Sequence, residues 1–323
     1  MQPHKSLKIE QSKLYRLGRK RDLAALLNLT LAELRALTAD ENFKEWTKKG
    51  EKGGKDRLIE QPHPPLKIVL SKLHHILRCV ETPPWLLSGK QRIKPRDNAE
   101  AHRQNGYMVT VDIAKFYQST KREFVYLVFK KQFQQTDDVA SLLADLVTYK
   151  GHIPTGTPTS QLMAFWAYRQ TFERIHKLCV SKGITMTVWV DDITFSSPKP
   201  FPKNWAQDIG KIVNTVALSL KEEKTKEYLP SEYKVATGST ISPTGEIRVK
   251  NQKRKELIDL LKGRRVEALQ LKPARTILGK LTSQRQNEPG FFSSVYARCK
   301  IRVQMLEKRK ALKKKAQKTA KMP

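Results

Sequence analysis

Thr185-Met186-Thr187-Val188-Trp189-Val190-Asp191-Asp192-Ile193-Thr194-Phe195-Ser196-Ser197 sets two adjacent carboxylates between two short runs of β-branched and large apolar residues. The pattern predicts a β-hairpin with Asp191 and Asp192 at its tip. An Asp-Asp pair in a turn ordinarily means only that each side chain bonds its own backbone. A metal site is the sharper reading, and it needs partners from elsewhere in the chain.

Asp112 is the first candidate partner. It closes the apolar run 107–113 in Val111-Asp112-Ile113, and an acid inside such a run is costly unless it is paired or bound to a cation. Asp112 and Asp191 are 79 residues apart. If their strands are neighbours, three carboxylates converge and raise one another's pKa unless cations hold them ionised. Oxygen-only donors suit Mg²⁺, which keeps its waters and binds substrate phosphates. Two such ions would activate a hydroxyl and stabilise a leaving pyrophosphate, so nucleotidyl transfer is the expected chemistry and two Mg²⁺ the expected cofactor.

Charge points the same way. The 323 residues hold 62 Lys and Arg against 31 Asp and Glu, a net charge of +31, which repels itself unless a polyanion neutralises it. Nucleic acid is the first candidate partner and an anionic membrane the second. No segment reaches the ~18 consecutive apolar residues of a membrane span. The first ten residues lack the apolar core of a secretory signal. Cys79, Cys179 and Cys299 are too scattered for a zinc site or disulfide framework, so a cytoplasmic protein without a membrane partner is expected.

Farther out, residues 23–37 carry leucines at helical spacing, with Thr30 and Glu33 forming a capping box for the second of two helices. The pair reads as a packing element rather than a DNA-binding helix-turn-helix, since the second helix offers few base-reading side chains. Residues 43–47 and 58–61 read as strands around a glycine-rich basic loop, either a phosphate cradle or a solvated hairpin tip. Helices are expected over 66–80, 121–132, 138–149, 161–180 and 205–220. A loop rich in Pro, Gly and hydroxyls, 151–160, precedes the fourth of these. Residues 234–241 and 246–249 read as a hairpin, and basic helices follow from 251. Between Lys300 and Pro323 there are ten Lys and Arg and one acid, Glu307.

The order of these elements resembles the palm of a reverse transcriptase: a strand with Asp112, Phe116 and Tyr117, then Gly156-Thr157-Pro158-Thr159-Ser160 before a helix, then Val190-Asp191-Asp192. More narrowly, the chain is similar to bacterial retron reverse transcriptases. Asn98-Ala99-Glu100-Ala101-His102 matches their Asn-Ala-x-x-His element, and Val235-Ala236-Thr237-Gly238 resembles their Val-Thr-Gly element with one residue inserted. The likeness covers roughly residues 23–306. It departs from the family at Trp189-Val190-Asp191-Asp192, where an aromatic-Ala-Asp-Asp box is usual, and at Pro154-Thr155-Gly156, where Pro-Gln-Gly is usual.

The resemblance implies an α+β right-hand polymerase: fingers and a palm whose antiparallel sheet packs on helices, then a basic helical thumb. The expected divisions are an N-terminal helical segment 1–42, fingers 43–106, palm 107–232 with interleaved finger helices, and a thumb and RNA-recognition region 233–323. It implies that Asp112, Asp191 and Asp192 are catalytic metal ligands. Lys55 and Arg57 would reach the incoming triphosphate, Tyr117 would block a ribose 2′-OH, Gly156 would support the nucleotide, and Lys224 would protonate the leaving pyrophosphate. Asn98, His102, Val235, Thr237 and Gly238 would bind RNA. Implied partners are dNTPs, a cognate structured noncoding RNA serving as template and 2′-OH primer, the branched RNA-linked DNA product (msDNA) and a separate effector in anti-phage defence. A reverse transcriptase of another bacterial class, or a nucleic-acid-binding protein without catalysis, are the alternatives.

Overall fold

The structure is a computed structural model and describes residues 6–50 and 56–319, with side chains to residue 313. Nine strands are named here: β1 (Phe43–Lys48), β2 (Arg57–Pro62), β3 (Tyr107–Asp112), β4 (Thr185–Trp189), β5 (Asp192–Ser197), β6 (Lys226–Tyr228), β7 (Lys234–Ala236), β8 (Ser239–Ile241) and β9 (Ile247–Val249). They form three sheets, ordered β1-β2, β4-β5-β3-β6 and β7-β8-β9. The expected α+β class is what the structure shows: antiparallel strand pairs packed on helices, followed by basic helices. The chain divides into two compact units, one of Met1–Ile93 with Val109–Glu227 and one of Lys94–Met108 with Tyr228–Pro323. Residues 94–106, grouped with the fingers from sequence, thus cluster with the C-terminal residues.

In the first unit, Thr30 accepts from the Glu33 backbone N–H while the Glu33 carboxylate accepts from the Thr30 N–H, so the capping box forms as expected. Leu23, Leu27 and Leu34 are fully buried, and helix Lys20–Leu27 packs on helices Pro64–Leu77 and Asp137–Val147. These two helices are therefore a packing element. One continuous core runs from Leu14 to Leu218, with Phe116, Phe165, Tyr168 and Phe172 at its aromatic centre.

Two helix expectations fail here for tertiary reasons. The helix expected over 161–180 is two, Ser160–Ala167 and Arg169–Ser181, because Tyr168 leaves helical geometry (φ −113°, ψ 16°). Its ring packs on Phe116 and Phe124 and its hydroxyl donates to the Ser119 carbonyl, contacts that outweigh local propensity. The helix expected over 205–220 ends at Asn214. The chain then turns through Ala217 at φ 57°, and residues 219–221 lie along the end of β3: Ala114 N–H donates to Ser219 O and Lys221 N–H to Asp112 O.

In the second unit, the strand expected over 234–241 is broken in the middle into β7 and β8, which with β9 make a three-stranded meander. Helix Pro95–His102 packs on this sheet, burying Ala99 with Met108, Ala236, Ile241 and Ile247. Helices Asn251–Leu261, Leu271–Gln284 and Ser293–Thr319 close a separate core around Leu257, Ile277, Leu281 and Phe291.

Candidate active site

Trp189 and Asp192 are the last paired residues of the β4–β5 hairpin, so Val190 and Asp191 form a two-residue loop. Among the described residues with positive φ is Val190, at 60°, but not Asp191. That is the pattern of a type II′ turn, whose first central position ordinarily takes glycine. β5 is the hydrogen-bonded neighbour of β3, and Ile113 N–H donates to the Asp191 carbonyl at 2.9 Å. Sheet order alone therefore brings Asp112, at the end of β3, beside Asp191 and Asp192.

The electrostatics of this cluster are unbalanced. Asp112 is 5% exposed and accepts from two ammonium groups, Lys221 on Oδ1 and Lys224 on Oδ2, the latter at 2.5 Å. Lys221 also lies 3.9 Å from an Asp191 oxygen. Burial and the Asp112 charge raise the Asp191 pKa. Burial, then Asp191 and Asp112, push Asp192 up to about 7. Burial lowers the Lys224 pKa, but bonding to Asp112 more than offsets this and the net shift is upward. Three acids against two ammonium groups leave a demand for positive charge, and the donors are oxygens only, the set a hard divalent cation prefers. As folded, no group of three or more His, Cys, Asp and Glu side chains among the described residues is drawn into a metal cage.

Lys221 is the residue that sequence reading missed. It stood in view at the head of a polar run, but only the early end of helix Trp205–Asn214 carries it to Asp112, 109 residues away. Tyr117 lies in the short helix after β3, packed beside Phe116, and burial followed by the Asp191 charge raises its pKa.

Gly156 is placed by backbone contact with β2: a Cβ there would lie 2.4 Å from the Glu60 carbonyl oxygen. Thr155, standing where the reverse transcriptases that the sequence resembles usually have Gln, turns to the same strand. Its hydroxyl donates to Leu58 O at 2.9 Å and accepts from Glu60 N–H at 3.1 Å, and its own N–H donates to the Glu60 carboxylate at 3.1 Å. Glu60 is 1% exposed, and His152 Nε2 meets its other oxygen at 2.8 Å. The loop 151–156 is thus clasped to β2 through one buried carboxylate.

That clasp predicts a pH dependence. The Glu60 hydrogen bond raises the His152 pKa above its ordinary value. A raised folded pKa stabilises the fold fully below the unfolded value, about 6.5, and the stabilisation is lost as pH rises through the folded value. The urea midpoint of His152→Phe is expected to fall below wild type by the equivalent of about 1–2 kcal/mol at pH 6. The gap should narrow in alkaline buffer; a gap constant with pH would refute the assignment.

Lys55 lies outside the described residues. Arg57 opens β2, exposed and opposite Lys48. Asn98 and His102 are both fully buried, and burial holds the His102 pKa near 3, so its ring is neutral. In this structure neither side chain is open to RNA. Asn98 Nδ2 instead donates to Thr237 Oγ1 at 3.4 Å, and Thr237 Oγ1 donates to Pro95 O at 3.0 Å. Thr237 and Gly238 form the loop between β7 and β8 with φ 45° and 82°, a type I′ turn held by these bonds. Val235 and Thr237 are half-buried and Gly238 is exposed.

No family model matches the chain. Its sequence is similar to retron reverse transcriptases. It is 28% identical to the retron Se72 reverse transcriptase of Salmonella heidelberg over 212 residues, 63% of this chain and 54% of that one. It is 26% identical to the retron Ec86 reverse transcriptase of Escherichia coli over 242 residues, 73% of this chain and 75% of that one. With the Escherichia coli retron Ec48 reverse transcriptase it shares 25% over 189 residues, 54% and 46% of the two chains. The chain therefore spans about half the length of two of these three relatives. A solved structure of Candida albicans telomerase with a fragment of telomeric RNA superposes at TM-score 0.49 and 9% identity, covering 82% of this chain and 60% of that one. No described helix is long and apolar enough to cross a membrane.

Proposed function

We propose that this protein is an RNA-directed DNA polymerase of the retron type. The observation that carries the reading is the gathering of Asp112, Asp191 and Asp192 on adjacent strands with Lys221 and Lys224 against Asp112. A structural turn has no use for one buried and two half-buried acids in mutual repulsion, two of them with raised pKa values. In the retron reading the template and 2′-OH primer are one cognate structured RNA, the product is branched msDNA, and a separate effector completes an anti-phage system.

Asp112, Asp191 and Asp192 would hold divalent cations, Mg²⁺ being the expected one, which supply charge to the reacting phosphate and acidify the attacking hydroxyl. The chain's own groups do the rest. Lys224, held protonated by Asp112, is the proton donor to the leaving pyrophosphate. Arg57, with Lys55, meets the triphosphate. Gly156 holds its loop against β2 beneath the nucleotide. Asn98 serves RNA recognition from beneath, by bonding Thr237 in the turn that presents Val235, Thr237 and Gly238, with His102 buried four residues on in the same helix.

The ring of Tyr117 excludes a ribose 2′-OH. Tyr117→Ala is expected to raise rNTP relative to dNTP incorporation on the order of 10–100-fold, measured as the ratio of kcat/KM values. The test of the whole reading is co-expression with the noncoding RNA flanking the gene, followed by isolation of branched DNA. Metal-dependent dNTP addition to many unrelated primed templates without a 2′-linked product would favour another reverse-transcriptase class. Salt-sensitive RNA binding without any dNTP incorporation would leave only a binding protein.

A further inference from the structure

The structure assigns Ser88 as a positioning residue that holds the Val190-Asp191 turn, and with it both hairpin acids, in working register. The inference rests on the polymerase reading.

Val190 is β-branched yet sits at φ 60°, a conformation that residues other than glycine, asparagine and aspartate rarely adopt. Such a residue persists only where its surroundings over-determine it. The surroundings here are specific. The segment before Ser88 lies along the outer edge of β4: Val188 N–H donates to Trp85 O at 2.9 Å, Leu87 N–H donates to Val188 O at 3.0 Å, and Leu86 and Val188 form a parallel bridge. Trp85 anchors this segment by packing on Phe165, Phe172 and His176.

Ser88, 2% exposed, ends the clamp, and its Oγ accepts from the Val190 N–H at 2.9 Å. That N–H lies in the loop beyond the last β4–β5 pair, so the hydroxyl satisfies a group the ladder does not use. The Asp191 carbonyl is meanwhile tied to Ile113 N–H. The two loop residues are thus held from two separate segments, Val190 by Ser88 and Asp191 by the end of β3. Without Ser88 the turn is free to relax toward a geometry that suits valine, and the carboxylates shift with it.

Glycine at 190 would adopt the same φ without strain and would not need the clamp. The test is therefore a rescue. Ser88→Ala is expected to lower kcat about 10–100-fold with little change in dNTP KM and thermal midpoint. Adding Val190→Gly to Ser88→Ala should recover most of the lost kcat. An unchanged kcat in Ser88→Ala, or loss of midpoint and kcat together with no recovery, overturns the assignment and leaves Ser88 a plain structural hydrogen bond.

Hydrogen exchange tests the clamp without reference to activity. The Val190 amide should be protected in wild type and lose protection in Ser88→Ala while the β4 amides keep theirs. A wild-type protein that adds no dNTP defeats the polymerase reading. An unprotected Val190 amide in wild type defeats the Ser88 inference whether or not the protein is active.

Discussion

Asp191→Asn is expected to abolish metal-dependent dNTP incorporation, with a loss on the order of 10³-fold or more, about 4 kcal/mol of transition-state stabilisation. The same substitution should leave the thermal midpoint unchanged or raise it. Burial and the Asp112 charge raise the Asp191 pKa, so the ionised side chain works against the folded state at neutral pH. A neutral amide of the same shape removes that penalty. Loss of function with retained or improved stability marks a group kept for its chemistry. The opposite result, a lower midpoint with activity intact, would return the pair to a satisfied turn. Asp112→Asn should differ, because Asp112 is 5% exposed and balances Lys221 and Lys224. Its neutralisation leaves Lys221 only the 3.9 Å contact to Asp191 and takes the partner charge from Lys224, so activity and stability should fall together.

Gly156→Ala should produce the second large effect, this time on the fold. The added Cβ would lie 2.4 Å from the Glu60 carbonyl oxygen, 3.1 Å from its carbonyl carbon and 3.2 Å from Gln61 Cα. All three are backbone atoms of β2, which cannot swing aside as a side-chain end can. Either the loop or the strand must move, at a cost of about 1–3 kcal/mol. With a urea m value of roughly 2 kcal/mol/M, the midpoint should drop by about 0.5–1.5 M. The displacement also stretches the Thr155 and His152 bonds to Glu60, so the pH dependence of the clasp should weaken in the same variant. A midpoint within about 0.2 M of wild type, a difference of about 0.4 kcal/mol, would show that the loop does not bear on β2.

The hairpin, its two acids and Asp112 on a buried strand were legible because they rest on local chemistry: β-branched alternation, turn-forming aspartates and an acid in an apolar run. The capping box at Thr30 and Glu33 was legible for the same reason. The Thr237-Gly238 turn was hidden because β-branched residues on both sides read as one continuous strand. Its positive φ at Thr237 is sustained by Asn98 and Pro95, 139 and 142 residues earlier in the chain.

By itself, then, the amino-acid sequence determined the class of the fold, the hairpin and buried strand that carry Asp112, Asp191 and Asp192, the net charge of +31 and the likeness to retron reverse transcriptases. The tertiary structure alone decided which cations face those acids, what Thr155 does in place of the usual Gln, that Asn98 and His102 face inward, and that Ser88 holds Val190. The physical reason is that each of these depends on a contact between segments distant in sequence. Local propensity does not encode such contacts. They appear only when sheet order and packing bring the segments together. The turn that presents Asp191 shows both halves: its residues announce a hairpin, and its strained φ is held by neighbours the hairpin does not contain.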